Sequence, residues 1–227
     1  MGSPGLSMIN YLDALNAWQL VREVHAASGS PAATSFKHVS PTGAAIAGAV
    51  DATMCENWGL GDAPVGPLAS AYVRARDADP KSSFGDMIAV SEPVDEELAD
   101  LLVRVVSDGI IAPDYAPGVA AMLSRKKNGR FLILQADPDY EPPRWECREV
   151  FGMQLEQQRD AAPLTANLLD VVECVALSPV QIEDALLGMV TARYTQSNTV
   201  VFVKDVMALG IAAGQQSRVD ATKLAAR

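Results

Sequence analysis

The 227-residue sequence predicts an α/β protein, and three observations carry that prediction. Stretches with helical spacing of apolar residues alternate with short apolar runs from one end of the chain to the other. Capping and stop signals fall where the spacing changes. The composition, 49% apolar and 20% charged, supplies enough nonpolar side chain to offset the entropy of ordering a core, which excludes disordered and low-complexity classes.

Residues 10–27 place Leu12, Ala14, Leu15, Trp18 and Val21 on one helical stripe, stopped by Ser28-Gly29-Ser30-Pro31. Residues 32–36 read as a short buried strand with Lys37-His38 at its end. Ser40-Pro41-Thr42-Gly43 then reads as a helix start, with Pro in the first turn and 44–54 continuing it. Residues 67–76 give a helix ended by Asp77-Ala78-Asp79-Pro80. Ser82-Ser83-Phe84-Gly85-Asp86 is a loop, and 87–90 a strand. Over 95–107, Leu98, Leu101, Leu102, Val105 and Val106 mark an amphipathic helix. A strand at 109–113, a helix at 118–126 and an Asn128-Gly129 turn into a strand at 131–135 complete this part.

The proline-rich, acidic segment 137–143 continues neither helix nor strand and reads as a linker. Residues 144–160 show no assignable pattern. Ser178-Pro179-Val180-Gln181 carries the signature of a capped helix start. That helix runs to about Tyr194. Residues 199–203 and 209–211 form two strands of a hairpin, and Gln215-Gln216-Ser217-Arg218 opens a last helix. No short-period repeat stands out, although each half offers a helix, a polar-tipped turn and an apolar strand.

A net charge of −10 opposes phosphate binding, so nucleic acid is not an expected partner. No apolar run reaches the length of a membrane span and no secretory signal is visible, so a cytoplasmic protein with no membrane partner is expected. Cys55, Cys147 and Cys174 are far apart and read as reduced thiols, not zinc ligands. The histidines are two, His25 and His38.

Lys37-His38 is the most suggestive pair. As a strand end followed by a helix start, it would offer an anion free N–H groups near Thr42, Gly43 and Ala44. His38 would exchange protons near neutral pH. A structural histidine beside an exposed lysine is the alternative. Ser82-Ser83-Phe84-Gly85-Asp86 reads as a phosphate or flat-ring pocket, or as a surface turn. Asn198 reads as the orienter of an amide ligand, or as a helix C-cap. Arg218 sits in a helix's first turn, where the macrodipole disfavours a cation, which points toward an anion ligand. Dinucleotide, P-loop and hydrolase-elbow motifs are absent from the sequence.

Several motifs occur in order: Asp13-Ala14-Leu15-Asn16-Ala17-Trp18-Gln19-Leu20-Val21, Ser35-Phe36-Lys37-His38-Val39-Ser40-Pro41, Ser82-Ser83-Phe84-Gly85-Asp86 and Ser107-Asp108-Gly109-Ile110-Ile111-Ala112-Pro113. Lys126-Lys127-Asn128-Gly129, Tyr194-Thr195-Gln196-Ser197-Asn198 and Ala213-Gly214-Gln215-Gln216-Ser217-Arg218 follow. Together they resemble AICAR transformylase, the formyltransferase half of the bifunctional purine enzyme whose other half is IMP cyclohydrolase. The similarity runs over nearly the whole chain.

The resemblance implies cytidine-deaminase-like α/β units, one complete at 1–140 and a second, partial one at 141–227. It implies a site without zinc, in line with the missing H-x-E and P-C-x-x-C motifs. The implied reaction transfers the formyl group of 10-formyltetrahydrofolate to the 5-amino group of AICAR, giving FAICAR and tetrahydrofolate. By resemblance His38 relays the amine proton, Lys37 stabilises the charged intermediate and Asn198 holds the substrate carboxamide. Asn10 and Arg218 would contact the nucleotide, while Phe84, Gly85 and Asp108 would line the folate side. A homodimer is implied as well.

The departures are specific. The family's R-Y-G-x-N-P-H-Q segment upstream of the first helix is not in this sequence, and the family continues beyond Arg227. Pro80-Lys81 stands where the family usually has Arg-Met, and Asp205-Val206 stands where a glycine-containing turn is common, which leaves that hairpin's geometry open. The cyclohydrolase domain is absent, so that activity is not expected. The alternative to an enzyme is an inactive, truncated homologue that binds a purine-like nucleotide or only dimerises.

Overall fold

The computed structural model describes residues 7–61, 63–169 and 176–227; Cys174 lies outside them. Its centre is one mixed seven-stranded sheet. The first helix, α1 (Met8–Ser28), leads into strands β1 (Ala32–Lys37) and β2 (Ser40–Ile46), then α2 (Ala52–Trp58) and α3 (Pro67–Asp77). After these come β3 (Asp86–Val90), α4 (Glu96–Arg104), β4 (Ser107–Ala112), α5 (Val119–Leu123) and β5 (Leu132–Gln135). A separate hairpin, β6 (Trp145–Val150) and β7 (Met153–Gln158), precedes α6 (Pro179–Arg193), β8 (Val200–Lys204), β9 (Met207–Ala212) and α7 (Arg218–Ala225). The sheet order is β5-β4-β3-β1-β2-β9-β8. β3, β4 and β5 run parallel to one another, and the other neighbours are antiparallel.

α1, α2, α4, α6 and α7 start where a side chain satisfies a first free N–H group, while α3 and α5 follow glycines that offer none. Ser7 caps α1 and Ser178 caps α6, both as closed capping boxes with Asn10 and Gln181. Asp51, Asp95 and Ser217 cap α2, α4 and α7. Two apolar layers cover the sheet. α1 and α6 share one layer through Ala17, Trp18, Val21, Leu187 and Val190; α3, α4 and α5 form the other through Tyr72, Leu98, Leu102 and Leu123. Among the described residues no helix is long and apolar enough to cross a membrane.

Two expectations are corrected. Ser40-Pro41-Thr42-Gly43 does not start a helix; it begins β2, which turns back on β1 through His38 and Val39. Pro41 opposes Phe36 beside a bulge, a place in a sheet where a missing N–H is tolerated. With it falls the argument for an anion at a helix N-terminus near Thr42, Gly43 and Ala44. On α1, Leu12 and Leu15 are exposed, and the buried stripe runs through Ala14, Ala17, Trp18, Leu20, Val21 and Val24 instead. Residues 144–160 contain the hairpin β6–β7, whose strands pair from Trp145↔Gln158 to Val150↔Met153.

An internal likeness also emerges. In both halves a serine-capped helix precedes a two-residue hairpin whose tip residues have positive φ: His38 and Val39 at 54° and 62°, Asp205 and Val206 at 52° and 53°. A glycine in the second strand of each hairpin admits a helix backbone: a Cβ on Gly43 would lie 1.9 Å from the Ala75 oxygen of α3, and one on Gly210 1.9 Å from the Ala225 oxygen of α7. β2 and β9 are antiparallel neighbours, so the two tips point to opposite ends of the sheet. The Asp205-Val206 turn closes without a glycine, because Asp184 accepts from both tip amides and Arg74 donates to the Asp205 carbonyl.

Candidate active site

The sheet register brings the predicted residues to one end of the sheet. Phe36 pairs with Met87 and Asp86 with Ser107, so the β1–β2 tip, the loop entering β3 and the start of β4 lie side by side. Val200 pairs with Ala212, and β9 runs opposite to β2. The segment before β8 and the segment after β9 therefore reach that same end.

Lys37, Phe84, Gly85 and Asp108 form one connected group. The Lys37 amine donates to the Phe84 carbonyl oxygen. Gly85 has φ +74°, and a Cβ there would lie 3.9 Å from both Lys37 Nζ and Asp108 Oδ1. Left-handed backbone favours glycine, which is what this position requires. Asp108 takes an ion pair from Lys127 at 2.6 Å. Among the described residues no carboxylate pairs with Lys37, so its positive charge is not cancelled locally. Phe84 is 61% exposed, a large apolar residue left open to solvent in the loop that holds the Lys37 amine.

His38 is exposed at the tip, in a conformation that β-turns usually give to Asn or Gly. Val39, beside it, is β-branched at φ 62°, a true outlier of the sort that the surroundings must hold in place. They do. Asp13 of α1, 7% exposed, accepts the Val39 N–H through Oδ1 at 2.5 Å. Burial pushes the Asp13 carboxyl upward in pKa; the Val39 and His38 amides and the nearby His38 ring act against that. The other histidine, His25, binds the Ser30 carbonyl at 2.9 Å and closes the end of α1, a structural task.

Asn198 forms a second group. Its backbone exchanges hydrogen bonds with Gln215 at 3.2 Å each way, and its side-chain amide donates to the Gln215 and Gln216 carbonyls at 3.0 and 3.3 Å. It thus ties the end of α6 to the entry of α7, where exposed Arg218 occupies the first helical position after the Ser217 cap. Asn10 lies in the first turn of α1, with its carbonyl oxygen committed to the Ser7 cap. No hydrogen bond joins the Lys37 group to Asn198, Arg218 or Asn10 among the described residues.

Sequence reasoning missed what lies beneath. The Ser35 hydroxyl donates to Asp86 Oδ2 at 2.6 Å and is 2.9 Å from the Ser83 hydroxyl, with Thr42 Oγ1 2.8 and 2.9 Å from the two serines. Arg76 pairs with Asp86 at 2.8 Å and donates to the Val106 carbonyl at 3.0 Å. Burial pushes the Asp86 carboxyl up, and Arg76 and Ser35 pull it back. This buried network fixes the floor of the 82–85 loop. Its available signal was Arg76 within the apolar helix at 67–76; Asp86 fell in a segment that the sequence reads as a loop.

The profile of the AICARFT/IMPCHase bienzyme family matches residues 2–227. The chain belongs to this family. The bifunctional purine biosynthesis protein PurH of Cereibacter sphaeroides is 37% identical over 222 residues, which is 98% of this chain and 38% of the relative. The same-named protein of Roseobacter denitrificans is 33% identical over the same share of each. The chain therefore spans well under half the length of these AICARFT/IMPCHase relatives.

Proposed function

We propose that the chain is the formyltransferase portion of the bienzyme, transferring the formyl group of 10-formyltetrahydrofolate to the 5-amino group of AICAR. The observation that carries the reading is the convergence of Lys37, His38, Phe84, Gly85, Asp108 and Asn198 on one end of the sheet. The substrate amine attacks the formyl carbon, a new C–N bond forms, and the bond from that carbon to the folate nitrogen breaks. His38 carries the proton from the amine to the departing nitrogen. The Lys37 ammonium meets the negative charge that develops on the formyl oxygen, a contribution of about 3–4 kcal/mol for a pre-placed donor.

Asn198 holds the carboxamide, Asn10 and Arg218 take the nucleotide, and Phe84 with Gly85 and Asp108 receives the folate. The repeated capped helix and hairpin support two cytidine-deaminase-like units, the first at 1–140 and a partial second at 141–227. In this reading the working form is a cytoplasmic homodimer that uses no zinc.

The test is formyl transfer by the purified chain supplied with AICAR and 10-formyltetrahydrofolate. His38→Ala is expected to lower turnover by about a hundredfold or more, as loss of a general acid–base does. A folded chain that binds AICAR without turnover would be a nucleotide-binding homologue instead. One that neither binds nor turns over would leave only self-association.

A further inference from the structure

The catalytic tip is strained and exposed, yet its geometry is set by one buried carboxylate. Asp13 stands six residues after the Ser7 cap of α1 and accepts the Val39 N–H. The chain contains the same device a second time. Asp184 stands six residues after the Ser178 cap of α6 and accepts the Val206 and Asp205 N–H groups at 2.6 and 3.3 Å. Two capped helices thus present an acid at the same position to two hairpin tips of the same shape.

The tips differ in what they carry. The first reads Lys37-His38-Val39 and sits at the end of the sheet with the candidate site. The second reads Lys204-Asp205-Val206 and sits at the opposite end, with none of the candidate site residues beside it. An acid serving only the fold would do equal work at both tips. An acid serving the chemistry would matter to turnover at the first alone.

We propose that Asp13 is a positioning residue for formyl transfer: by holding the Val39 amide it fixes the His38–Val39 turn, and with it the Lys37 amine and His38 ring. Asp184 holds the second tip for the fold only. The proposal deepens the functional reading above and rests on it for the kinetic part of its test. Asp13 does not touch substrate. It acts through the tip.

The experiment compares Asp13→Ala, Asp13→Asn and Asp184→Ala in the full chain. Amide hydrogen exchange, histidine ring NMR and formyl transfer from 10-formyltetrahydrofolate to AICAR are read in parallel. Asp13→Ala is expected to expose the Val39 amide to exchange, shift the His38 ring resonance while leaving His25 in place, and lower kcat by about a hundredfold with little change in the AICAR KM. Asp13→Asn keeps an acceptor for the Val39 N–H and is expected to restore most of the lost kcat. Asp184→Ala is expected to expose the Val206 amide and lower Tm, yet keep kcat near that of the parent.

Equal kcat losses in Asp13→Ala and Asp184→Ala would overturn the proposal, since stability alone would then explain them. So would a hundredfold loss in a folded Asp13→Asn, which still offers the Val39 N–H an acceptor and decides the matter should Asp13→Ala fail to fold. If the parent chain shows no turnover, the functional reading fails by itself. The His38 resonance still decides this proposal, and an unmoved His38 signal in Asp13→Ala with the Val39 amide exposed would overturn it.

Discussion

Lys126 shows how far a single residue departs from its ordinary chemistry near this site. Its amine donates to the Ser107 hydroxyl at 2.6 Å and lies 4.5 Å from the centre of the Phe131 ring. Burial lowers its pKa to about 8, with Arg76 and Lys127 adding to the effect and Asp86 and Asp108 opposing it. In the unfolded chain the same group holds its proton to about pH 10.4. Between those values the unfolded state binds more protons than the folded one, so this group's contribution to stability rises with pH. Below about pH 8 both states are protonated and the contribution is flat. The prediction is a Tm that climbs from pH 8 to 9.5 more steeply in the parent than in Lys126→Met. The buried tyrosines Tyr72, Tyr115 and Tyr194 are also shifted upward, but they act above about pH 10, where unfolded tyrosine ionises, and are common to both proteins. Equal slopes would show that Lys126 is not desolvated as described.

At the scale of elements, the two glycines that admit helices to the sheet make a direct prediction. An alanine at position 43 would put its methyl carbon 1.9 Å from the Ala75 oxygen, and one at position 210 would meet the Ala225 oxygen equally closely. Backbone oxygens cannot swing aside as a side chain can, so the helix itself must lift from the strand. Gly43→Ala should therefore cost on the order of 2 kcal/mol or more, and Tm should fall by about 2–4 °C for each of those. An unchanged Tm would rule out the close approach of α3. The same elements show what was legible beforehand. α3, α4 and α6 were readable because caps and apolar spacing are local signals, and Ser178-Pro179-Val180-Gln181 folds as the capped start its residues predict. β2 was hidden because Pro41 at a bulge looks in sequence like Pro at a helix start. The turn at His38 and Val39 was hidden because neither residue prefers positive φ; Asp13, 26 residues earlier than Val39, holds it. The side chains expected of a reactive site were visible by type, whereas the carboxylates that hold or underlie them were not, since their partners come from distant segments.

Across the whole molecule, stability is unevenly spread. β1 and β3 lie inside the seven-stranded sheet with helices over both faces, and nearly every residue in them is buried. The β6–β7 hairpin has only two strands, almost all of its residues are exposed, and Phe151 at its tip stands wholly in solvent at 105%. A two-stranded sheet of this kind is marginal by itself. Its links to the rest are surface ion pairs and long hydrogen bonds, among them Arg22–Glu141 at 2.7 Å in the preceding segment and Arg159 to Gln19 at 3.4 Å, worth about 0–1 kcal/mol each. Native-state hydrogen exchange should therefore find two levels. Amides between 145 and 158 should exchange by local opening, insensitive to low denaturant, while those of Ile88 and Ile110 exchange only with global unfolding. If the hairpin amides were as protected as Ile88, some surface must cover Val150, Phe151, Met153 and Leu155. Repeating the measurement at several protein concentrations identifies that surface: protection that grows with concentration assigns it to a second copy of the chain, and protection that does not returns it to this one.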